Sequence, residues 1–239
     1  GPGIEMVFRD AGHILGSAMI ELYIKENKQK FKVVFSGDIG NRNQPIIKDP
    51  YLLEQADYLI IESTYGNKIH EIKDRLKKRD TLKEIIIKAL KKGGNIIVPA
   101  FAVERTQDLL VELNYLLRTG DLPNFQIIID SPLAIAATEI FQRHHQYFSD
   151  AVAELNQNGE KALIFENIKF TKSAEESQKL NELKGGAMII SASGMCDAGR
   201  IKHHLKHNLW KPEATILFTG YQAEGTLGRR LIDGEKIVR

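Results

Sequence analysis

Ala187-Met188-Ile189-Ile190 is an unbroken apolar run that passes directly into Ser191-Ala192-Ser193-Gly194, and a helical period follows over 199–209. A half-buried strand would alternate; a continuous run suits a strand buried on both faces, as in a parallel sheet. The same passage recurs along the chain. Runs at 18–24, 31–35, 58–61, 95–98, 126–129 and 215–218 read as further strands. Between them, Leu82, Ile85, Ile86, Ala89 and Leu90 mark one apolar helix face, and Leu109, Leu113, Leu116 and Leu117 another. Helices are also expected over 134–147, 173–183 and 226–232. Repeated strand-then-helix units predict an α/β fold with a largely parallel sheet covered on both sides.

The length of 239 residues allows one large domain or two modest ones. Hydrophobic residues at 43% and charged residues at 27% are ordinary for a folded globular chain. No run approaches the roughly eighteen apolar residues of a membrane helix, and no basic stretch leads into an apolar secretion signal. Cys196 is the single cysteine, which excludes an intramolecular disulfide framework and a thiolate metal cluster. A reducing, cytoplasmic setting is expected. The opening Gly1-Pro2-Gly3 lacks an initiator Met, which suggests a fragment.

Charge is balanced, 33 Lys and Arg against 31 Asp and Glu, so net charge does not announce a nucleic-acid binder. One stretch is locally basic: Arg200, Lys202, Lys206 and Lys211, with His203, His204 and His207. It suits either phosphate contact or a solvated helix face. The first sixty residues differ from the rest, with strands 18–24 and 31–35 flanking the polar turn Glu26-Asn27-Lys28-Gln29 as a hairpin. A charged helix over 68–92 then bridges two units. The expected boundary lies near Gly66, giving domains 1–66 and 67–239.

In strand-helix proteins, ligands gather beyond the carboxyl ends of strands. Every such exit here is polar, small or glycine-rich. The exits form two chemical sets. The first is His13, Asp38 and Glu62, with Asp10 nearby; imidazole plus carboxylate suits zinc or manganese. The plainer alternative is a hydrogen-bonded loop histidine and carboxylates that cap or turn. The second set is Arg105, Ser131, Ser191, Ser193, Gly194, Gly225, Thr226, Arg229 and Arg230. Ser-Gly turns entering helices can present backbone N–H groups to phosphate, and arginine adds a planar grip. The alternative is that Ser and Thr simply cap helices. His203 and His207 share a helix face without the glutamate of a zinc-protease motif. Cys196 reads as a small buried residue and Trp210 as helix-end packing.

Taken in order, the motifs Asp10-Ala11-Gly12-His13-Ile14-Leu15-Gly16-Ser17, Ser36-Gly37-Asp38 and Glu62-Ser63-Thr64-Tyr65-Gly66 resemble the metallo-β-lactamase fold nucleases of the β-CASP group. Pro99-Ala100-Phe101-Ala102-Val103-Glu104-Arg105-Thr106-Gln107, Asp130-Ser131-Pro132-Leu133-Ala134, Ser191-Ala192-Ser193-Gly194-Met195 and Gly220-Tyr221-Gln222-Ala223-Glu224-Gly225-Thr226-Leu227-Gly228 continue the likeness. The chain looks like the RNA-processing branch, which holds the cleavage and polyadenylation nuclease and its bacterial and archaeal relatives.

The resemblance implies a partial metallo-β-lactamase αββα sandwich followed by a Rossmann-like β-CASP domain. It implies a parent enzyme in which two zinc ions drive hydrolysis of RNA phosphodiesters. His13 then corresponds to a ligand of one zinc, Asp38 to the bridging ligand, and Glu62 to an acidic residue that orients a general-acid histidine. Arg105, Ser131, Ser191, Ser193, Gly194, Gly225, Thr226 and Arg229 would line the substrate groove. The family's HxHxDH motif and its two downstream histidine motifs do not occur in this sequence. On that reading the chain is an internal fragment, with weak or no metal and no activity alone. RNA is the expected partner, a membrane is not, and self-association is allowed. A non-catalytic RNA-binding scaffold and a DNA-directed nuclease are the alternatives.

Overall fold

A computed structural model describes residues 3–67, 75–157 and 161–238. The first residues of the expected 68–92 helix, and the opening Gly1-Pro2, lie outside these. The chain divides into two compact units, one of residues 1–74 and 145–154, the other of 75–144 and 155–239. The expected boundary near Gly66 does not anticipate the return of 145–154 to the first unit.

The first unit is a four-stranded sheet. Strands β1 (Ile4–Asp10), β2 (Ala18–Glu26) and β3 (Gln29–Phe35) form an antiparallel meander, and β4 (Tyr58–Ile60) adds to β3 in parallel. The hairpin is as read: Asn27 (φ 48°) and Lys28 (φ 67°) both take the left-handed conformation that a tight two-residue hairpin turn requires. Glu21, buried in β2, is held from both neighbouring strands, by Arg9 Nε at 3.1 Å and Lys32 Nζ at 2.7 Å. Burial alone would raise its carboxyl pKa, but the bonds from Lys32, Arg9 and Tyr23 hold it below its ordinary value.

Burial on both faces does not extend to this sheet. Ile4, Met6 and Phe8 of β1 and all of β4 are exposed. A meander can leave one face open, so an apolar run at 58–61 does not by itself imply cover. The return segment docks through Phe148, buried and bridged to Ile47, and through Ser149, whose Oγ donates to Pro45 O at 3.0 Å.

The second unit carries the parallel sheet. Its strands are β5 (Ile96–Pro99), β6 (Gln126–Ile129), β7 (Ile168–Phe170), β8 (Ala187–Ser191) and β9 (Thr215–Ile216), in spatial order β7-β6-β8-β5-β9. All its pairings are parallel. Here the continuous runs are buried throughout, as expected for a sheet covered on both faces. Ile97, Ile128 and Ile189 share one face with Cys196, Ile201 and Leu205, while Ile96, Val98, Ile127, Ile129, Met188 and Ile190 alternate to the other and are equally buried.

Helices α1 (Arg75–Lys92), α2 (Arg105–Arg118), α3 (Pro132–Arg143), α4 (Asp150–Gln157), α5 (Ala174–Lys179), α6 (Ile201–Asn208) and α7 (Leu227–Ile232) complete the element order. The single helix expected over 134–147 instead begins at Pro132, stops at Arg143 and gives way to a short 3-10 turn. Proline at the first turn and Ser131 as cap set the earlier start. The structure is thus mixed α/β, with a five-stranded parallel sheet as its larger part.

Candidate functional site

In the first unit, β1, β3 and β4 each run into a loop, and the three loops are clasped together. Asp10 Oδ1 accepts from Gly12 N at 2.9 Å, and Ser17 Oγ accepts from His13 N and Ile14 N, fixing the turn that carries His13. Gly40 N donates to Ala11 O at 2.9 Å, so the Asp38 loop lies against the His13 loop. The approach demands glycine: a Cβ on Gly40 would stand 1.5 Å from Gly12 O. The third loop joins through Glu62, whose Oε1 accepts from Ile39 N at 2.8 Å while its own N donates to Ser36 Oγ.

Glu62 is held below the ordinary carboxylate range by a side-chain bond from Thr64, the Ile39 backbone bond and the charge of His13. Asp38 is exposed and has no hydrogen bond or ion pair among the described residues. The three residues thus come from adjacent, cross-linked loops. Among the described residues, however, no group of three or more His, Cys, Asp or Glu side chains gathers closely enough to hold a metal.

The second unit has its own focus. β5 and β8 are neighbours, yet β5 leads through α2 to β6 on one side and β8 leads through α6 to β9 on the other. Connections that part in this way open a crevice at the carboxyl ends of the two strands. Gly194, just past β8, lies against Phe101, just past β5: a Cβ there would meet Phe101 N at 2.9 Å. Ala100 N also donates to Ser191 O at 3.1 Å.

The 220–228 turn is tied to the same loop. Gln222 Nε2 donates to Gly194 O at 2.9 Å, Leu227 N to Asp197 Oδ1 at 2.9 Å and Gly228 N to Met195 O at 3.0 Å. Ser191, Ser193, Gly194, Gly225 and Thr226 therefore belong to one braced pair of loops, with Arg105 on the α2 turn that follows Phe101.

Many of the hydroxyls are already engaged. Ser131 Oγ caps α3 and is buried, Thr226 Oγ1 caps α7, Ser191 Oγ donates to Asp130 O, and Ser193 Oγ accepts from Ala198 N. Arg229 is turned to Asp233, with both carboxylate oxygens near 3 Å, and Arg230 to Glu235. Arg105 is the least engaged, 41% exposed and 3.5 Å from Asp108. The Ser-Gly turn at 191–194 does not enter a helix directly, because α6 begins only at Ile201.

Beneath these loops lies a polar centre that the sequence pattern does not disclose. Asp130, fully buried, accepts from Thr171 Oγ1 (2.5 Å), Ser177 Oγ (2.6 Å) and Arg200 Nη1 (2.7 Å), and faces His204 Nε2 at 2.6 Å. A carboxylate only accepts, so Nε2 carries the proton. Burial alone would raise the Asp130 pKa, but the bonds from His204, Ser177, Thr171 and Arg200 outweigh it and hold the group well below the ordinary range. His204 thus leaves the basic stripe for the core, while His203 and His207 stay on the outer side, joined by His207 Nδ1 and His203 O. The helical spacing of 201, 204, 205 and 208 is the signal that could have placed His204 inside.

The Beta-Casp domain profile matches residues 106–231. The protein called Ribonuclease TTHA0252 from Thermus thermophilus is 35% identical over 241 residues, covering 99% of this chain and 53% of its own length. The RNase J-like protein of Methanocaldococcus jannaschii is 34% identical, over 99% of this chain and 53% of its own length. The Transcription termination factor FttA of Methanosarcina mazei is 32% identical, over 98% of this chain and 37% of its own length. The chain spans about half the length, or less, of these relatives.

Proposed function

The chain belongs to the β-CASP family, and from that premise we propose that it serves a ribonuclease that hydrolyses RNA phosphodiester bonds. The observation that carries the proposal is the braced loop pair 191–199 and 220–228 at the carboxyl edge of the parallel sheet. A parallel-sheet crevice floored by glycine and small residues, with Arg105 beside it, suits a phosphate backbone approaching main-chain N–H groups. Two of the relatives carry ribonuclease names and a third is called a termination factor, which supports RNA as the polymer.

The first unit contributes His13, Asp38 and Glu62 to the same reading. Zinc is part of the proposal, with His13 and Asp38 as two of its ligands; bound zinc would supply an activated water. Catalytic zinc takes about three protein ligands. The described residues do not assemble such a set. What this chain's own residues do is position: the Gly40–Ala11 and Ile39–Glu62 bonds fix the loop carrying Asp38, and Glu62 stays ionised beside His13.

The test compares cleavage of an RNA strand and a DNA strand of matched sequence by the protein that carries this chain, with Asp38→Asn and Glu62→Gln beside it. Faster RNA cleavage is expected, lowered about 10- to 100-fold by Glu62→Gln, as for groups that orient a reacting site. Equal cleavage of DNA points to the DNA-directed alternative. RNA binding without cleavage points to the scaffold.

A further inference from the structure

The outer face of α6 carries side chains that the proposed function leaves unused. Ile201, His204, Leu205 and Asn208 turn inward, whereas Lys202, His203, Lys206, Leu209 and Trp210 are exposed, Trp210 by 73%. This corrects the expectation that Trp210 packs against a helix end. Lys202 and Lys206, four apart, share one side of the helix, and Leu209 and Trp210 follow in the turn that closes it.

The charges on this face are uncompensated. Lys202, Lys206 and Lys211 make no ion pair among the described residues, and no Asp or Glu occurs between Asp197 and Glu213. Lys211 Nζ instead stands over the Trp210 ring, 5.5 Å from its centroid.

The placement separates this face from the crevice. β8 exits at the carboxyl edge of the sheet and α6 runs back to the start of β9, so Trp210 lies toward the opposite, amino edge. A polymer bound at the crevice could follow α6 to reach it; a mononucleotide could not occupy both.

A flat aromatic ring flanked by lysines that make no ion pair among the described residues is the composition of a single-strand platform, where a base stacks on the ring and phosphates meet the lysines. An apolar protein or lipid partner would need more hydrophobic area than Trp210 and Leu209 offer. We propose that the outer face of α6 is a second nucleic-acid contact, with an unpaired RNA base stacked on Trp210 and flanking phosphates held by Lys202, Lys206 and Lys211. It takes RNA as the polymer from the proposed function and adds a site to it.

Trp210 is the only tryptophan of the 239-residue chain, so its emission reports this site alone. The full chain is titrated with single-stranded RNA, following tryptophan emission beside the anisotropy of the same RNA carrying an end label. Saturable quenching with the anisotropy midpoint is expected. Trp210→Ala should weaken binding about 5-fold or more, with Trp210→Phe recovering part of it. Lys202→Ala with Lys206→Ala should lower the salt slope by about 1.4, as for two single-strand phosphates. RNA binding by anisotropy, with emission and the Trp210→Ala affinity both unchanged, overturns this site and leaves the RNA reading standing. No anisotropy change at all overturns both. Equal quenching by polyglutamate overturns base stacking in favour of an acidic protein surface.

Discussion

His204 Nε2 lies 2.6 Å from Asp130 Oδ2, although 74 positions separate the two residues. Thr171, Ser177 and Arg200 converge on the same carboxylate, so strands β6 and β7 and helices α5 and α6 are joined at one buried point. Removing one member of a buried charged cluster strands the others. Asp130→Ala should cost about 3–5 kcal/mol, seen as a lower urea midpoint at unchanged slope. A shift below about 1 kcal/mol would mean the cluster relaxes to water.

The same carboxylate gives the chain an acid limit. Its folded pKa is depressed, so between the folded and unfolded values the unfolded chain binds more protons. The stability it contributes is complete above the unfolded value, about 3.9, and is lost as pH falls through the folded value. Glu21 and Glu62 are shifted in the same direction and add to the effect. Urea midpoints should therefore drop steeply below about pH 4, and Asp130→Asn should flatten that drop. Parallel pH profiles for the two proteins would remove Asp130 from the account.

Cys196 is buried, and burial together with the charge of Asp197 pushes its thiol up to about 12. The thiolate is the reacting species, so the native chain should resist iodoacetamide at neutral pH and react fully once unfolded in urea. Native labelling as fast as in urea would place the 191–199 loop open in solution.

Gly40 and Gly16 offer a matched pair. An added Cβ at Gly40 would meet Gly12 O at 1.5 Å, against backbone that cannot turn aside, whereas Gly16 (φ +85°) has open space around it. Gly16→Ala should cost only its left-handed conformation, about 1–2 kcal/mol. Gly40→Ala should reach about 3 kcal/mol or more, because it forces the His13 and Asp38 loops apart. Urea unfolding ranks the two; equal costs would mean that the loops separate freely.

The parallel sheet was legible because burial on both faces leaves a mark that survives without partners: β5, β6 and β8 are unbroken apolar runs. Strand β1 is not read from the sequence although Ile4, Met6 and Phe8 alternate with Glu5 and Arg9, because Val7 interrupts the alternation. Strand β7 has three residues, too few to show a period. Asp38 and Glu62 are legible because each follows a run read as a strand, whereas His13 follows the unread β1 and stands out by its motif Asp10-Ala11-Gly12-His13. The Asp130 cluster was not, since Thr171, Ser177, Arg200 and His204 are ordinary alone and acquire meaning only when the fold brings them to one carboxylate. Nearness in the chain sets His204 with His203 and His207, whereas its helical phase belongs with Ile201 and Leu205.

The docking of Phe148 and Ser149 against Ile46, Ile47 and Pro45 has a consequence for biosynthesis. A ribosome releases the meander and its loops early, but the strip that seals them comes only after α1, α2 and α3 have emerged. The earlier-made unit therefore cannot close until residue 154 has emerged, when the first part of its neighbour is already made. During translation it waits, with Ile46 and Ile47 uncovered, for a piece of chain embedded in the coding sequence of its neighbour.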